Sequence, residues 1–387
     1  MKKAWVRILI SAGIAVLLSV GVYIFGNIPF AVGGGNGKYF FIEDIIQRHF
    51  DRRSTLDDAF FINVSWDKQL IGRYDGFGEP HGVTDITDRA ALTDLLTKLK
   101  ASDTYKYICL DIRFEDGLER DSSDTQLFSL IRGMRDLVIP VHRGMTLADP
   151  TLEPKAASGD YRYTGFNTGF SRYQYLQKGQ ESMALRAYHD LTGKTITRRK
   201  LSPFFTCDGK LCSNVSFVRL PVDMSKKWSD SGDSFNYYDL GYDLGIYNME
   251  SLARRAEGKV VVIGNFVEDM HETYMGRQPG PYINYIATEN LLNGTHFVNW
   301  SFIIMMLIVY FVLAAFAIDE VQFTDLIPAL RNSDNRFVKW FISFLGITSI
   351  LSIISTLIFI LTQGSYNILI PSLFFSWLDN YLNKDKI

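Results

Sequence analysis

Hydrophobic and polar positions along this chain fall into two regimes. In the first, apolar residues run without interruption: Ile8 to Phe25, Trp300 to Ile318 and Phe341 to Leu361 contain no charged residue. Each run is close to the roughly 20 residues that a helix needs to cross a bilayer. A shorter run, Ile368 to Leu382, includes Asp379, with Trp377 and Tyr381 placed as interface anchors. It is read as a fourth, short span, with an interfacial helix as the alternative. In the second regime, from about residue 28 to residue 298, apolar and polar residues alternate with the periods of folded elements.

Within that middle region, Phe60–Trp66, Tyr107–Phe114, Leu137–Val141, Ser216–Leu220 and Val260–Ile263 are short, β-branched or aromatic stretches that predict strands. Helices are predicted at Asp88–Lys100, Ser122–Arg135, Glu181–Leu191 and Tyr282–Leu292. The first of these puts Ala91, Leu92, Leu95, Leu96 and Leu99 on one face, with Asp88 as its cap. Residues 38–58 mix apolar and charged positions at helical spacing, as a juxtamembrane helix does, and 145–257 are less regular. Strand–helix–strand order at this spacing predicts an α/β domain with a mostly parallel sheet flanked by helices. The expected organisation is an N-terminal stub and anchor (1–27), that domain (28–298), and three C-terminal transmembrane helices (299–387), four spans in all.

Charge then orients the spans. Lys2, Lys3 and Arg7, then Arg331, Arg336 and Lys339, then Lys384 and Lys386 flank the apolar runs. The positive-inside rule puts all of them in the cytoplasm and the α/β domain outside it. The N-terminal run is longer than a signal-peptide core and lacks a small-x-small cleavage site, so it reads as an uncleaved anchor. A formal net charge of -2 gives no basic balance that would favour nucleic acid. Of three cysteines, Cys109 sits in an apolar strand, while Cys207 and Cys212 bracket DGKL. Outside the cytoplasm that pair predicts a small disulfide loop contributing about 2 kcal/mol.

Four stretches carry a resemblance to a known family: FFINVSWDKQL; DRAALTDLLTKL with YICLDIRFE; DSSDTQLFSLI with LVIPV; and GKVVVIGNFVEDMHETYMGRQPGPYINYIATENLLNG. Together with the order of anchor, α/β domain and closing spans, they resemble the CHASE type-2 extracytoplasmic sensory domain over roughly residues 40–380. The resemblance implies sensing at a bacterial cytoplasmic membrane. The family's Trp-Pro-x-x-Arg is reduced here to TDITDR, with Arg89 alone in place. No kinase or cyclase stretch follows the last apolar run, so the expected output is a separately encoded partner docking on Asp319–Lys339.

Ligands of open parallel sheets bind beyond the carboxyl ends of the strands. Those ends carry Asp67, Asp111 with Arg113, His142 with Arg143, and Asn265 with Asp269 and His271. Such a mixture of carboxylates, imidazoles and guanidinium groups suits a small polar ligand or a divalent cation. The plainer reading is that these residues cap and solvate the sheet edge. The spacing of Asp269, His271 and Glu272 fits no standard metal motif, no catalytic signature is present, and no cofactor is expected. The function expected is a membrane-anchored extracytoplasmic sensor or binding protein. The alternatives are a structural or assembly subunit of an envelope complex and an extracytoplasmic enzyme.

Overall fold

The computed structural model describes residues 2–27, 55–74, 77, 79–114, 123–160, 172–221, 224, 236–244, 249–273, 276–319, 336–362 and 368–382. Of the expected juxtamembrane helix at 38–58 only Thr55–Asp58 falls within these, as a single 3-10 turn. Most of the expected docking segment Asp319–Lys339 also lies outside the described residues.

Helix α1 (Lys2–Gly26) is the N-terminal apolar run. The sheet begins with β1 (Ala59–Asn63), every residue of which is buried. A two-stranded antiparallel hairpin, Lys68–Tyr74 against Pro80–Thr87, follows directly. Helix α2 (Arg89–Ser102) then starts where Asp88 Oδ1 accepts from the Ala90 and Ala91 N–H groups at 2.8 and 3.0 Å. Those bonds satisfy two of the amides that a helix start leaves open, worth about 1 kcal/mol. Strand β2 (Tyr107–Asp111), helix α3 (Asp124–Arg132), strand β3 (Leu137–Val141) and strand β4 (Ala156–Ser158) come next. Helix α4 (Met183–Thr192), strand β5 (Tyr237–Asp239), helix α5 (Met249–Ala256) and strand β6 (Val260–Gly264) complete the sheet. Helix α6 (Gly280–Leu292) leads to α7 (Trp300–Ile318), α8 (Arg336–Thr362) and α9 (Leu369–Leu382).

The six strands pair in the order β5–β1–β6–β2–β3–β4, and every pair is parallel. Alternate residues of each strand serve opposite faces. Phe61, Tyr107, Cys109, Val260 and Val262 pack under α4 and α6, while Phe60, Ile62, Ile108, Leu110, Val261 and Ile263 pack under α2, α3 and α5. This division follows from handedness. Connections running from β1 to β2, β2 to β3 and β5 to β6 cross the sheet in one direction, and α4 lies on the return path. A right-handed crossover must then put the return helix on the other face. Both faces are covered, which is why the central strands read as near-continuous apolar runs.

The expected Cys207–Cys212 disulfide is absent, and both thiols are free and buried among the residues under α4 and α6. The reason is register. Phe205–Cys207 and Lys210–Cys212 form a hairpin around Asp208 and Gly209, whose φ values of 52 and 72 make a two-residue turn. Cys207 faces Lys210 and Cys212 faces Phe205, so the two cysteines are diagonal neighbours. Diagonal neighbours lie roughly 7–8 Å apart, their Cβ atoms somewhat less, against a Cβ separation of about 4 Å in a disulfide.

Among the described residues three helices, Ala4–Gly26, Trp300–Ile318 and Trp340–Leu361, are long and apolar enough to cross a membrane. The fourth span is corrected to a shorter element. Helix α9 has 14 residues, about 21 Å of rise against a hydrocarbon core of about 30 Å. Phe375 and Leu378 of this helix, with Ile368 just before it, pack into the apolar seam formed by Leu18, Tyr310, Leu313 and Leu351. Helices α1 and α7 lie side by side, joined to each other at one end, while the other end of α1 is tied to the domain. Arg7 Nη1 meets Asp319 Oδ1 at 2.6 Å at one end. At the other, the Tyr23 hydroxyl donates to the Cys212 carbonyl at 2.6 Å, and Asn27 Oδ1 accepts from the Asn214 N–H at 2.6 Å. The α/β domain is thus seated on the Gly26 and Trp300 ends of the helices.

Candidate functional site

Strand β6 differs from both its neighbours in where its chain goes next. After β6 the backbone turns to α6 on one face, whereas after β1 and β2 it turns to α2 and α3 on the other. Adjacent strands whose exits diverge leave a crevice between them, so β6 is flanked by two. The residues expected from sequence divide between these crevices.

On the β1 side, Asn63 at the end of β1 is fully buried. Its Oδ1 accepts from the Ser65 and Phe266 N–H groups at 3.1 and 3.2 Å, and its Nδ2 donates to Asp239 Oδ1 at 2.6 Å. Asn265 Oδ1 accepts from the N–H groups of Val267 and Glu268 at 3.1 and 2.8 Å, and its Nδ2 donates to Glu268 Oε2 at 2.6 Å. Lys68 Nζ then bridges Glu268 and Asp85 at 2.9 and 3.2 Å. Here Asn265 is a turn-forming residue, as its plainer reading expects. Asp67 lies against Gly241, past the end of β5, where a Cβ would come within 2.3 Å of Asp67 Oδ1. Burial holds the Asp67 carboxyl above its ordinary range, with a Gly241 backbone hydrogen bond opposing and Asp239 and Asp88 adding to the rise. Its Oδ2 has no hydrogen-bond partner among the described residues.

On the β2 side, the register sets Asp111 opposite Gly264. Asn284, from the second turn of α6, donates its Nδ2 to Asp111 Oδ2 at 2.9 Å and accepts the Tyr173 hydroxyl on its Oδ1 at 2.8 Å. Close approach of α6 to the strand ends depends on glycine at two points. A Cβ on Gly264 would sit 2.4 Å from Pro281 Cγ, and one on Gly280 would sit 2.2 Å from Asp269 Oδ2 and 3.1 Å from His271 Nε2. Asp269 Oδ1 and His271 Nε2 are 3.0 Å apart, and the Asp269 carbonyl accepts the Gly280 N–H at 2.8 Å. His142, past the end of β3, rests against Gly159, with its Nε2 3.0 Å from where a Cβ would be.

These groups share one electrostatic environment. Burial pushes the Asp111 carboxyl up to about 7, and the neighbouring Asp269 pushes the same way. The Asn284 hydrogen bond and the imidazoles of His142 and His271 oppose the rise. The structure therefore gathers Asp111, His142, Asp269 and His271 into one cluster, leaves Asn265 in the other crevice, and sets Asp67 against Gly241 past the end of β5. Arg113 is exposed between buried Ile112 and Phe114. Among the described residues no group of three or more His, Cys, Asp or Glu is arranged to hold a metal ion.

Asn284 and Tyr173 were not among the residues singled out from sequence. One signal was available for Asn284: α6 is buried on all sides, and Asn284, Thr288, Glu289 and Asn290 are polar residues within it. Buried polar side chains need partners, so each marks a contact made across the interior. Tyr173 had no such signal, because it arrives from a three-residue strand in the irregular part of the chain.

No protein family, no curated protein and no solved structure matches this chain.

Proposed function

We propose that the chain is a membrane-anchored binding protein whose α/β domain takes a small polar ligand in the crevice between β6 and β2. Occupancy would be passed through α6 to α7. The observation that carries this reading is the position of α6. Its Asn284 bonds Asp111 at the candidate site, and only seven residues separate its last residue, Leu292, from Trp300 at the start of an apolar helix. A 13-residue helix is about 20 Å long and stiff, so displacement at one end is felt at the other.

The chemistry allows a two-state response. A ligand that hydrogen-bonds to Asp111 competes with the Asn284 amide, and α6 can then settle in a second position. The motif resemblance to CHASE type-2 domains supports the sensing half of the proposal. A cytoplasmic or membrane protein partner, encoded separately, completes it.

Thermal unfolding of the full chain in detergent tests the reading against a panel of amino acids, polyamines, dicarboxylates and sugars. One class is expected to raise the midpoint, and Asp111→Asn and Asn284→Leu should each weaken that binding by about tenfold or more, the cost of about 1.4 kcal/mol. No response from any class, or a response that survives both substitutions, sinks the proposal.

A further inference from the structure

A second concave site lies at the seam between the α/β domain and the apolar helices, apart from the crevice at the strand ends. Its volume is about 610 Å³, within the range of small-molecule sites. One wall is apolar and comes from three helices: Val20 of α1, Phe302 and Met306 of α7, and Phe359 of α8. Met306 lies six residues past Trp300, about 9 Å along α7. This wall therefore runs down the apolar helices, whereas the opposite wall belongs to the domain.

Much of the polar chemistry at the seam is spent on joining the two parts. The Tyr23 hydroxyl donates to the Cys212 carbonyl at 2.6 Å and accepts the Phe205 N–H at 3.1 Å. Asn27 Oδ1 accepts from the Ser213 hydroxyl and the Asn214 N–H at 2.9 and 2.6 Å. Arg172 and Arg219 also line the cavity and have partners of their own. His296 and Asn290 differ. Both line the cavity and are 1% and 8% exposed. Neither ring nitrogen of His296, nor Nδ2 of Asn290, has a hydrogen-bond partner among the described residues. The His296 ring is fixed by Phe297 and Tyr188, at centroid distances of 4.1 and 5.4 Å. Burial pulls its pKa down to about 4, so it is neutral at pH 7 and offers one N–H donor and one acceptor. Buried polar groups are nearly always paired, so an unpaired set beside a cavity marks a place for a ligand.

The two walls and the neutrality of the unpaired groups together define that ligand. An ionic head would give up its hydration and gain no counter-charge from an imidazole and an amide. A neutral soluble molecule leaves Phe302, Met306 and Phe359 against water, and a bare acyl chain leaves the imidazole and the amide without partners. A quinone head only accepts hydrogen bonds, whereas His296 presents both a donor and an acceptor. We infer that the cavity holds one neutral glyceride of the diacylglycerol type, drawn from the leaflet beside the domain. Its free hydroxyl and ester carbonyls pair with His296 and Asn290, and its chains lie along Phe302, Met306 and Phe359.

The test reconstitutes the full chain in phosphatidylcholine nanodiscs carrying equal minor amounts of diacylglycerol, phosphatidylglycerol and menaquinone. Native mass spectrometry then reads the lipid retained on the protein. The expected result is one diacylglycerol retained in preference to the other three lipids. His296→Phe and Asn290→Leu should each cut that retention by about tenfold. Neither should lower the melting midpoint of the lipid-free protein in detergent, because each removes a buried polar group that has no partner. A lower midpoint in both variants overturns the inference, since the two groups would then be paired within the protein. So does a preference for any other lipid, or undiminished retention in either variant. Displacement by glycerol as effective as that by dioctanoylglycerol also overturns it, because the ligand would then be a soluble polyol.

Discussion

On the β1 side of β6, the Asn63 amide is engaged by Ser65, Phe266 and the Asp239 carboxylate, and the Asn265 amide by the backbone and carboxylate of its own turn. On the β2 side, the corresponding strand end carries Asp111, whose partner Asn284 comes from a helix that runs on toward the membrane-crossing segment. Both crevices arise from the same divergence of chain exits around β6. Topology therefore offers two places for a ligand, and the side chains decide which is closed with turn hydrogen bonds. The Asn265 amide closes its own loop, whereas burial and a like charge lift the Asp111 carboxyl from its ordinary range.

The comparison breaks most severely at Asn63. Asn63→Ala removes the acceptor for two buried N–H groups and the donor to Asp239. A loss of about 3 kcal/mol is expected, which for a domain of this size lowers the melting midpoint by roughly 6–12 °C. An unchanged midpoint would mean that the β1 crevice is not held closed by this residue.

Asp111→Asn acts on the other crevice and through pH. A carboxyl raised in the folded state keeps a proton that the unfolded chain releases, so the folded protein binds more protons between about pH 4 and pH 7. Stability from this group is therefore present below pH 4 and falls as pH rises through about 7. The substitution should flatten that fall, by on the order of 1–3 kcal/mol across the window. Chemical denaturation at pH 4.5 and 7.5 (values spanning the window) measures it, and parallel slopes in both proteins would remove Asp111 from the argument.

The smallest effect belongs to Lys68. It bridges Glu268 and Asp85, which are 62% and 54% exposed. Exposed pairs of this kind contribute about 0.5 kcal/mol. Lys68→Ala should thus move the midpoint by about 2 °C or less at low salt, and by nothing measurable at about 1 M salt, where the Debye length is about 3 Å. A larger shift would show that the rim of the β1 crevice supports more than its own surface.

Strand ends were legible because β1, β2, β3 and β6 are buried on both faces and so stand out as short apolar runs, each closed by a polar residue. That is how Asp111, His142, Asp269 and His271 were named, in one set with Asp67, Arg113 and Asn265, which lie apart from them. The edge strand β5 was not legible, since Tyr237–Asp239 is half-buried and three residues long. The hairpin at Lys68–Thr87 was missed for a similar reason: much of Pro80–Thr87 is exposed, and little apolar pattern marks it. The disulfide expectation failed on register, which cysteine spacing does not encode. The fourth span failed on length, because an apolar run that packs inside a bundle resembles one that crosses a bilayer.

The Arg7–Asp319 pair joins residues 312 positions apart. During synthesis at about 5–20 residues per second, α1 emerges roughly 15–60 s before the segment that carries its partner. For that interval the first helix must remain in the bilayer without α7 beside it, while the intervening domain is still being made. The uncharged stretch from Ile8 to Phe25 lets it persist alone, and Arg7 arrives at the bilayer edge as a charge whose partner comes later.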